Sequence, residues 1–322
     1  MPHRVFLGKR YPSACGRWLL TWDDGNVSPS VDRRAAVIVN PIARSADDEL
    51  AALQAVAAKL DIDLRVMMTT IGHPGRTQAR QAVDKGFDSV VAVGGDGTLR
   101  QVAAGVAHTD VALGIMPAGA GNIVARNVGL RPGDHARNAE VALTGRPRPV
   151  DLAWATIDDE AREPFLGMIG MGRDAEVVAA VTRRSKQVRS WRAYARAGLK
   201  ALRATPLPFI LAGAHENYWT VLVGNAPRVP MGARVFPDVH LDSGDLQVLR
   251  VERPSLLNWA GIAAFGLGLR RKAPRLRWSR VTSVAVSFPS PRAVQIDGDV
   301  VASASTVFVD VDASALLVRS PA

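Results

Sequence analysis

The sequence predicts a parallel α/β layer followed by a mainly antiparallel β portion. Two patterns point there. Between residues 35 and 119, short and fully apolar runs alternate with amphipathic stretches. After about residue 147, strand-like runs recur without regularly alternating helices. Strands buried on both faces and separated by helices belong to a three-layer α/β/α arrangement. With 322 residues, 48% of them apolar, the chain is long enough for two cores at about 100–200 residues per domain.

Each element has a local reason. AAVIVN (35–40) is β-branched and apolar, and ends at Asn40-Pro41, which a strand cannot easily continue through. DDELAALQAVAAKL (47–60) carries its acidic residues in the first turn, as the helix dipole prefers. DLRVMMTT (63–70) reads as a second strand, and GRTQARQAVDKG (75–86) as a helix closed by Gly86. SVVAVGG (89–95) is a third strand that enters the helix TLRQVAAGVAH (98–108) directly, and ALGIMPAG (112–119) is a fourth strand. GRPRPVD (145–151) reads as a linker. Beyond it, PVDLAWATI, PFLGMIGM, NYWTVLVGN, DLQVLRVE, VTSVAVSF, AVQID and TVFVDVD form the antiparallel portion, with helices inserted around 174–204 and 255–268. The expected organisation is an extension over 1–32, an α/β domain over 33–147 and a β-sandwich domain over 148–322. The last residues may return to pack on the first domain.

Composition removes several function classes. One cysteine, Cys15, excludes a disulfide framework and a multi-cysteine metal site, and fits a reducing, cytoplasmic setting. The longest strongly apolar run, residues 256–269, is too short for a bilayer span of about 20 residues. The apolar stretch near the amino terminus is too short for a secretory signal. Forty Lys and Arg against 30 Asp and Glu give a net charge of +10, which suits an anionic partner. Eight basic residues and no acidic one lie between Arg183 and Arg203, and six more between Arg270 and Arg280. In the first run Val188, Trp191, Tyr194, Ala195, Leu199 and Leu202 fall near helical spacing, the pattern of a helix lying on an anionic membrane surface. An ordinary helix with solvated arginine heads fits the same spacing. No nucleic-acid motif accompanies these runs, so no nucleic-acid partner is expected.

The chemistry concentrates in two glycine loops. In VVAVGGDGTLRQV a buried strand meets Gly94-Gly95-Asp96-Gly97-Thr98, and a helix starts at once. Glycines let the backbone approach a ligand, and amides at a helix N-terminus suit phosphate oxygens. No Lys follows, so this is not the P-loop. The second loop, Met116-Pro117-Ala118-Gly119-Ala120-Gly121-Asn122, closes the next strand and would add a second wall. Asn40-Pro41 would add a third edge. Both glycine loops lie at carboxyl ends of parallel strands, where open α/β sheets bind ligands.

The order NP, GGDGT, PAGAGN-x-x-AR and a late Asp297-Gly298-Asp299 resembles the diacylglycerol kinase catalytic domain superfamily, which includes bacterial soluble diacylglycerol kinases, sphingosine kinases and ceramide kinases. The resemblance runs over about residues 33–320 and is best matched over 93–130. It implies a first domain like those of NAD kinase and phosphofructokinase that binds ATP, and a second domain facing a lipid. On matching positions, Asn40, Thr70, Gly94, Gly95, Asp96, Gly97, Thr98, Gly119, Gly121 and Asn122 would contact the nucleotide. Asp96 and Asp299 would be the catalytic carboxylates, one accepting the hydroxyl proton and the other orienting Mg²⁺ through water. Asp174 and Glu176, in a segment resembling the family's G-x-G-x-D-A, would face the lipid head group, and Asp242 would contribute to a metal loop.

The expected activity is transfer of the γ-phosphate of ATP to a lipid hydroxyl, with diacylglycerol giving phosphatidic acid. The expected location is cytoplasmic, with peripheral attachment to an anionic membrane; a homodimer is left open. The family often has Glu at Gln101, Thr at Ala120, Asp at Ile123, an acidic residue at Ser243 and Glu at Asp299. These departures keep a catalytically weak nucleotide- or lipid-binding regulator as an alternative, beside an NAD kinase-like small-molecule kinase.

Overall fold

The computed structural model describes residues 34–184, 204–211, 213–229, 234–252, 261, 262, 264, 269 and 275–321. The extension over 1–32 and most of the basic run and of the helix expected at 255–268 lie outside the described residues.

Alternation of strand and helix gives β1 (Arg34–Val39), α1 (Ala46–Leu60), β2 (Asp63–Met68), α2 (Arg76–Asp84), β3 (Ser89–Gly94), α3 (Asp96–Val106) and β4 (Ala112–Pro117). β1 pairs in parallel with β2 and β3, and β3 pairs in parallel with β4. Because these strands share one direction, Asn40, Thr69, Gly94 and Pro117 all emerge on the same edge of the sheet. β3 and β4 are buried along their whole length, which explains why both read as unbroken apolar runs. Leu99, Val102, Ala103 and Val106 of α3 pack on one face of this sheet. Leu53 and Ala57 of α1 pack on the other, beside Ala139, Ala142 and Leu143 of α5 (His135–Thr144). The short α4 (Ile123–Asn127) separates β4 from α5.

The remaining strands are β5 (Arg146–Ile157), β6 (Glu163–Phe165), β7 (Met168–Gly172), β8 (Leu207–Leu211), β9 (Ala214–Tyr218), β10 (Thr220–Gly224), β11 (Leu246–Val251), β12 (Leu276–Val281), β13 (Ser283–Ile296) and β14 (Asp299–Ser320). α6 (Arg173–Arg184) follows β7. The main path of the sheet runs β12-β11-β10-β7-β13-β14-β4-β3-β1-β2. Antiparallel and parallel strands therefore belong to one hydrogen-bonded sheet. The join is β14, antiparallel to β13 and β5, whose Leu317 and Val318 pair in parallel with Ala112 and Leu113 of β4.

Residues 146–151 of the expected linker are strand. Arg146 to Val150 pair with Ser320 to Leu316, so the stretch is the start of β5. Pro147 and Pro149 are tolerated because β6 covers β5 only at Ala153–Ala155, which leaves the proline-bearing end at an edge.

α2 and α3 approach closely at Gly105, where an added Cβ would lie 2.5 Å from Ala79 Cβ and 2.6 Å from the Arg76 carbonyl oxygen. Gly105→Ala should therefore lower stability by about 1–3 kcal/mol through overpacking. A urea unfolding midpoint below that of the wild type checks this.

Candidate active site

The strand edge opens on a cleft of about 740 Å³. Asn40, Ile42, Thr69 and Thr70 line it from the ends of β1 and β2, and Gly97, Thr98, Arg100 and Gln101 from α3. Ile157, Glu160, Glu163, Val301 and Ala302 face them from the antiparallel strands. Of the predicted nucleotide contacts, Asn40, Thr70, Gly97 and Thr98 reach this wall. Gly94, Gly95, Asp96, Gly119, Gly121 and Asn122 do not line it; they build the loops beside it.

The loops hold each other. An added Cβ at Gly119 would lie 2.5 Å from Gly95 Cα, so the two backbones touch where only hydrogen fits. Asn122 takes a left-handed backbone (φ 48°) and is buried. Its Oδ1 accepts from Gly119 N–H at 2.9 Å, and its Nδ2 donates to the Gly119 carbonyl at 2.9 Å. The amide of Asn122 is thus spent inside its own loop, fixing the shape the loop presents. Asn40 links the first loop to the cleft edge, donating from Nδ2 to Thr98 Oγ1 at 3.1 Å. Thr70 Oγ1 accepts from His73 N–H at 3.2 Å, which closes the turn after β2.

Asp96 sits between the loops. Its Oδ1 accepts from Val124 N–H at 3.3 Å, and the backbone amides of Asn122 and Ile123 lie close enough to favour the anion. Burial outweighs those amides, and with the nearby Asp297 charge it pushes the Asp96 carboxyl up to about 7. Asp297 and Gly298, with φ of 50° and 87°, form the two-residue turn between β13 and β14, the left-handed pair that Asp-Gly favours. The Asp297 carboxylate is turned inward and accepts from the N–H groups of Leu166, Gly167 and Met168 at 3.3, 3.0 and 2.8 Å. This anchor sets Asp299, the first residue of β14, against the first loop. Asp299 Oδ2 lies 3.1 Å from where a Gly97 Cβ would be. A hairpin far along the chain and the GGDGT loop therefore meet at one end of the cleft.

Asp174 and Glu176 are placed elsewhere. Asp174 accepts from Thr220 Oγ1 and from Gln295 Nε2, and burial pushes its carboxyl up to about 6. Glu176 pairs with Arg173 at 2.7 Å. Neither lines the cleft. In the 238–246 loop, Asp242 is exposed, Ser243 Oγ donates to the His240 carbonyl, and Asp245 is held by Arg280 Nε at 2.5 Å. Among the described residues no three His, Cys, Asp or Glu side chains gather closely enough to hold a metal ion. Arg275 and Arg277 both pair with Glu252, so part of the second basic run is neutralised within the fold.

The diacylglycerol kinase catalytic domain model matches residues 34–155, which carry both glycine loops. That match and the relatives below mark the chain as a lipid kinase. A diacylglycerol kinase of Bacillus subtilis is 25% identical over 239 residues, 72% of this chain and 77% of the relative. A diacylglycerol kinase of Mycobacterium tuberculosis is 30% identical over 189 residues, 57% of this chain and 61% of the relative. A YegS-like lipid kinase of Chromohalobacter salexigens is 30% identical over 197 residues, 58% of this chain and 61% of the relative. Two Bacillus anthracis structures described as diacylglycerol kinases superpose with TM-scores of 0.70 and 0.62, each covering 90% of this chain. They cover 98% and 97% of those chains, and at 21% and 19% identity this likeness speaks for the fold.

The late Asp-Gly-Asp motif announces Asp297 but not its role, since its three N–H partners lie on a distant segment. Other residues of the site belong to no motif. Arg100, Glu160 and Glu163 reach the cleft through tertiary packing alone.

The raised Asp96 carboxyl has a consequence for stability. The folded chain holds that proton more tightly than the unfolded chain, so the Asp96 contribution favours folding at acid pH and is lost as pH rises from about 4 to about 7. Asp96→Asn should flatten the decline of the urea midpoint between pH 5 and pH 8. An unchanged slope would contradict the assigned shift.

Proposed function

We propose that this lipid kinase transfers the γ-phosphate of ATP to the hydroxyl of diacylglycerol, giving phosphatidic acid. The observation that carries the reading is the meeting of the GGDGT loop, the second glycine loop and the Asp299 hairpin at one end of the cleft. Phosphoryl transfer asks a protein mainly for alignment and charge neutralisation. In this reading the N–H groups at the start of α3 receive the phosphates, and the touching loops keep those donors in fixed positions.

Asp96 takes the proton of the lipid hydroxyl. Its carboxyl, pushed up to about 7, is matched to a proton acceptor at neutral pH. Asp299 is the residue that would hold a divalent cation. Mg²⁺ would offset charge on the phosphate oxygens, and it is commonly held by one or two carboxylates together with substrate phosphates and water. A single carboxylate beside Gly97 fits that need. The names carried by the relatives from Bacillus and Mycobacterium support diacylglycerol as the acceptor.

Access to the acceptor requires a membrane surface. Among the described residues, no helix is long and apolar enough to cross a bilayer. The basic run from Arg183 to Arg203, with Trp191 and Tyr194, supports adsorption to an anionic leaflet.

Labelled ATP and Mg²⁺ with diacylglycerol, sphingosine, ceramide and NAD in mixed micelles test the activity, with label expected in phosphatidic acid. Asp96→Asn and Asp299→Asn should each lower kcat by about 10²–10⁴-fold while leaving the fold intact. Near-normal turnover by both proteins would remove the mechanism. The kcat of the wild type should fall as pH drops below about 7, because a protonated Asp96 cannot accept. Co-sedimentation with vesicles should require anionic lipid and weaken with added salt.

A further inference from the structure

Gly97, Arg100 and Gln101 are three and four residues apart on α3, so they share one helical face, and all three line the cleft. Glu163 of β6 stands opposite. Its Oε2 accepts from Arg100 Nη1 at 3.3 Å and from Gln101 Nε2 at 3.1 Å. Arg100 Nη1 also lies 3.5 Å from the Pro164 carbonyl oxygen.

This pair is unequal and loose. The Arg100 side chain is 11% exposed, whereas that of Glu163 is 41% exposed. A strong guanidinium–carboxylate contact is about 2.7–2.9 Å and is often bidentate. Here one oxygen serves two donors, at longer range. Arg100 Nε is buried with no hydrogen-bond partner. A guanidinium carries five N–H donors, and a desolvated one with donors unmet is poised for a better acceptor.

The charge pattern of the wall names that acceptor. Among the described residues lining the cleft, Arg100 is the one cation, and Glu160 and Glu163 are the anions. The glycine loops themselves carry no Lys or Arg between Gly94 and Leu99 or between Pro117 and Asn122. A polyphosphate entering this cleft meets two carboxylates and a single guanidinium already engaged by one of them.

We propose that Arg100 is the polyphosphate-binding cation of the cleft and that Glu163 is its stand-in counter-ion. The outer phosphates of the donor take the guanidinium from Glu163, and this exchange sets the preference for a triphosphate over a monophosphate. Gln101 completes the device. Its neutral amide keeps a hydrogen bond on Glu163 when Arg100 leaves, so the carboxylate is not stranded. The inference rests on the kinase reading above and assigns a donor-specificity role within it.

Calorimetric titration of the full chain with ATP, ADP and AMP separates the possibilities. Glu163→Gln should tighten ATP by about 3–10-fold, because the competing charge is gone, and leave AMP unchanged. Arg100→Gln should weaken ATP by about 10–100-fold and spare AMP, with Arg100→Lys falling between. The opposite signs distinguish this device from a strut between α3 and β6, whose loss would weaken ATP in both variants. Weaker ATP binding by Glu163→Gln, or equal changes for ATP and AMP, overturns the proposal. Urea midpoints verify folding, and should Arg100→Gln fail to fold, the sign of the Glu163→Gln effect decides alone. Wild-type protein that binds ATP and turns over, with no tightening in Glu163→Gln, sinks this inference and leaves the kinase reading intact. Wild-type protein with no affinity for ATP sinks both.

Discussion

Two loop backbones touch at Gly95 and Gly119, and that contact fixes the shape of the loops beside the cleft. The loops leave adjacent parallel strands, so the sheet spacing already brings them near. Their final approach leaves no room for a side chain on Gly119 and only a tight fit for one on Gly95. Asp96 and Asn122 then tie the second loop down from both sides, one through the Val124 N–H and the other through Gly119. The glycines of these motifs serve loop-to-loop packing as much as access for a ligand.

A second constraint comes from the far end of the chain. Buried Asp297 spends its carboxylate on three successive N–H groups, and this holds the β13–β14 turn against the 166–168 segment. Asp299 is carried to Gly97 as a result. β14 then runs on to pair with β4, so one strand links the hairpin at the cleft to the edge strand of the parallel layer. The cost is two carboxylates near one another in a poorly hydrated place. Both Asp96 and Asp297 are pushed up by burial, and the charge of Asp297 adds to the shift of Asp96. Arg100 offsets part of that for Asp297. One buried guanidinium therefore joins the cleft wall to the charge balance behind it.

The net positive charge is distributed unevenly. Arg275, Arg277 and Arg280 answer Glu252 and Asp245 within the antiparallel strands, so they act in part as internal counter-ions. Exposed pairs of this kind contribute little to stability. The remaining excess lies away from the cleft wall, where among the described residues Arg100 is the one Lys or Arg beside Glu160 and Glu163.

The strand–helix rhythm to residue 117 was fully legible, because apolar runs buried on both faces and amphipathic helices write their periods into the sequence. The glycine loops were legible too, because their chemistry is local and contiguous. The linker expected at 145–151 was not, since Pro147 and Pro149 speak for a break until an edge position and the partner strand β14 accommodate them. Asp174 and Glu176 share a motif, yet a helical turn sends one into the sheet and the other to Arg173. The sequence by itself determined the parallel layer, its two glycine turns and the presence of a late Asp-Gly hairpin. Only the tertiary structure decided that Asp297 is an anchor, that Asp299 meets Gly97, and that Arg100 faces Glu163. Those are contacts between residues far apart in the chain, and which of them form depends on how β14 and β6 pack against α3, a property that no local spacing encodes.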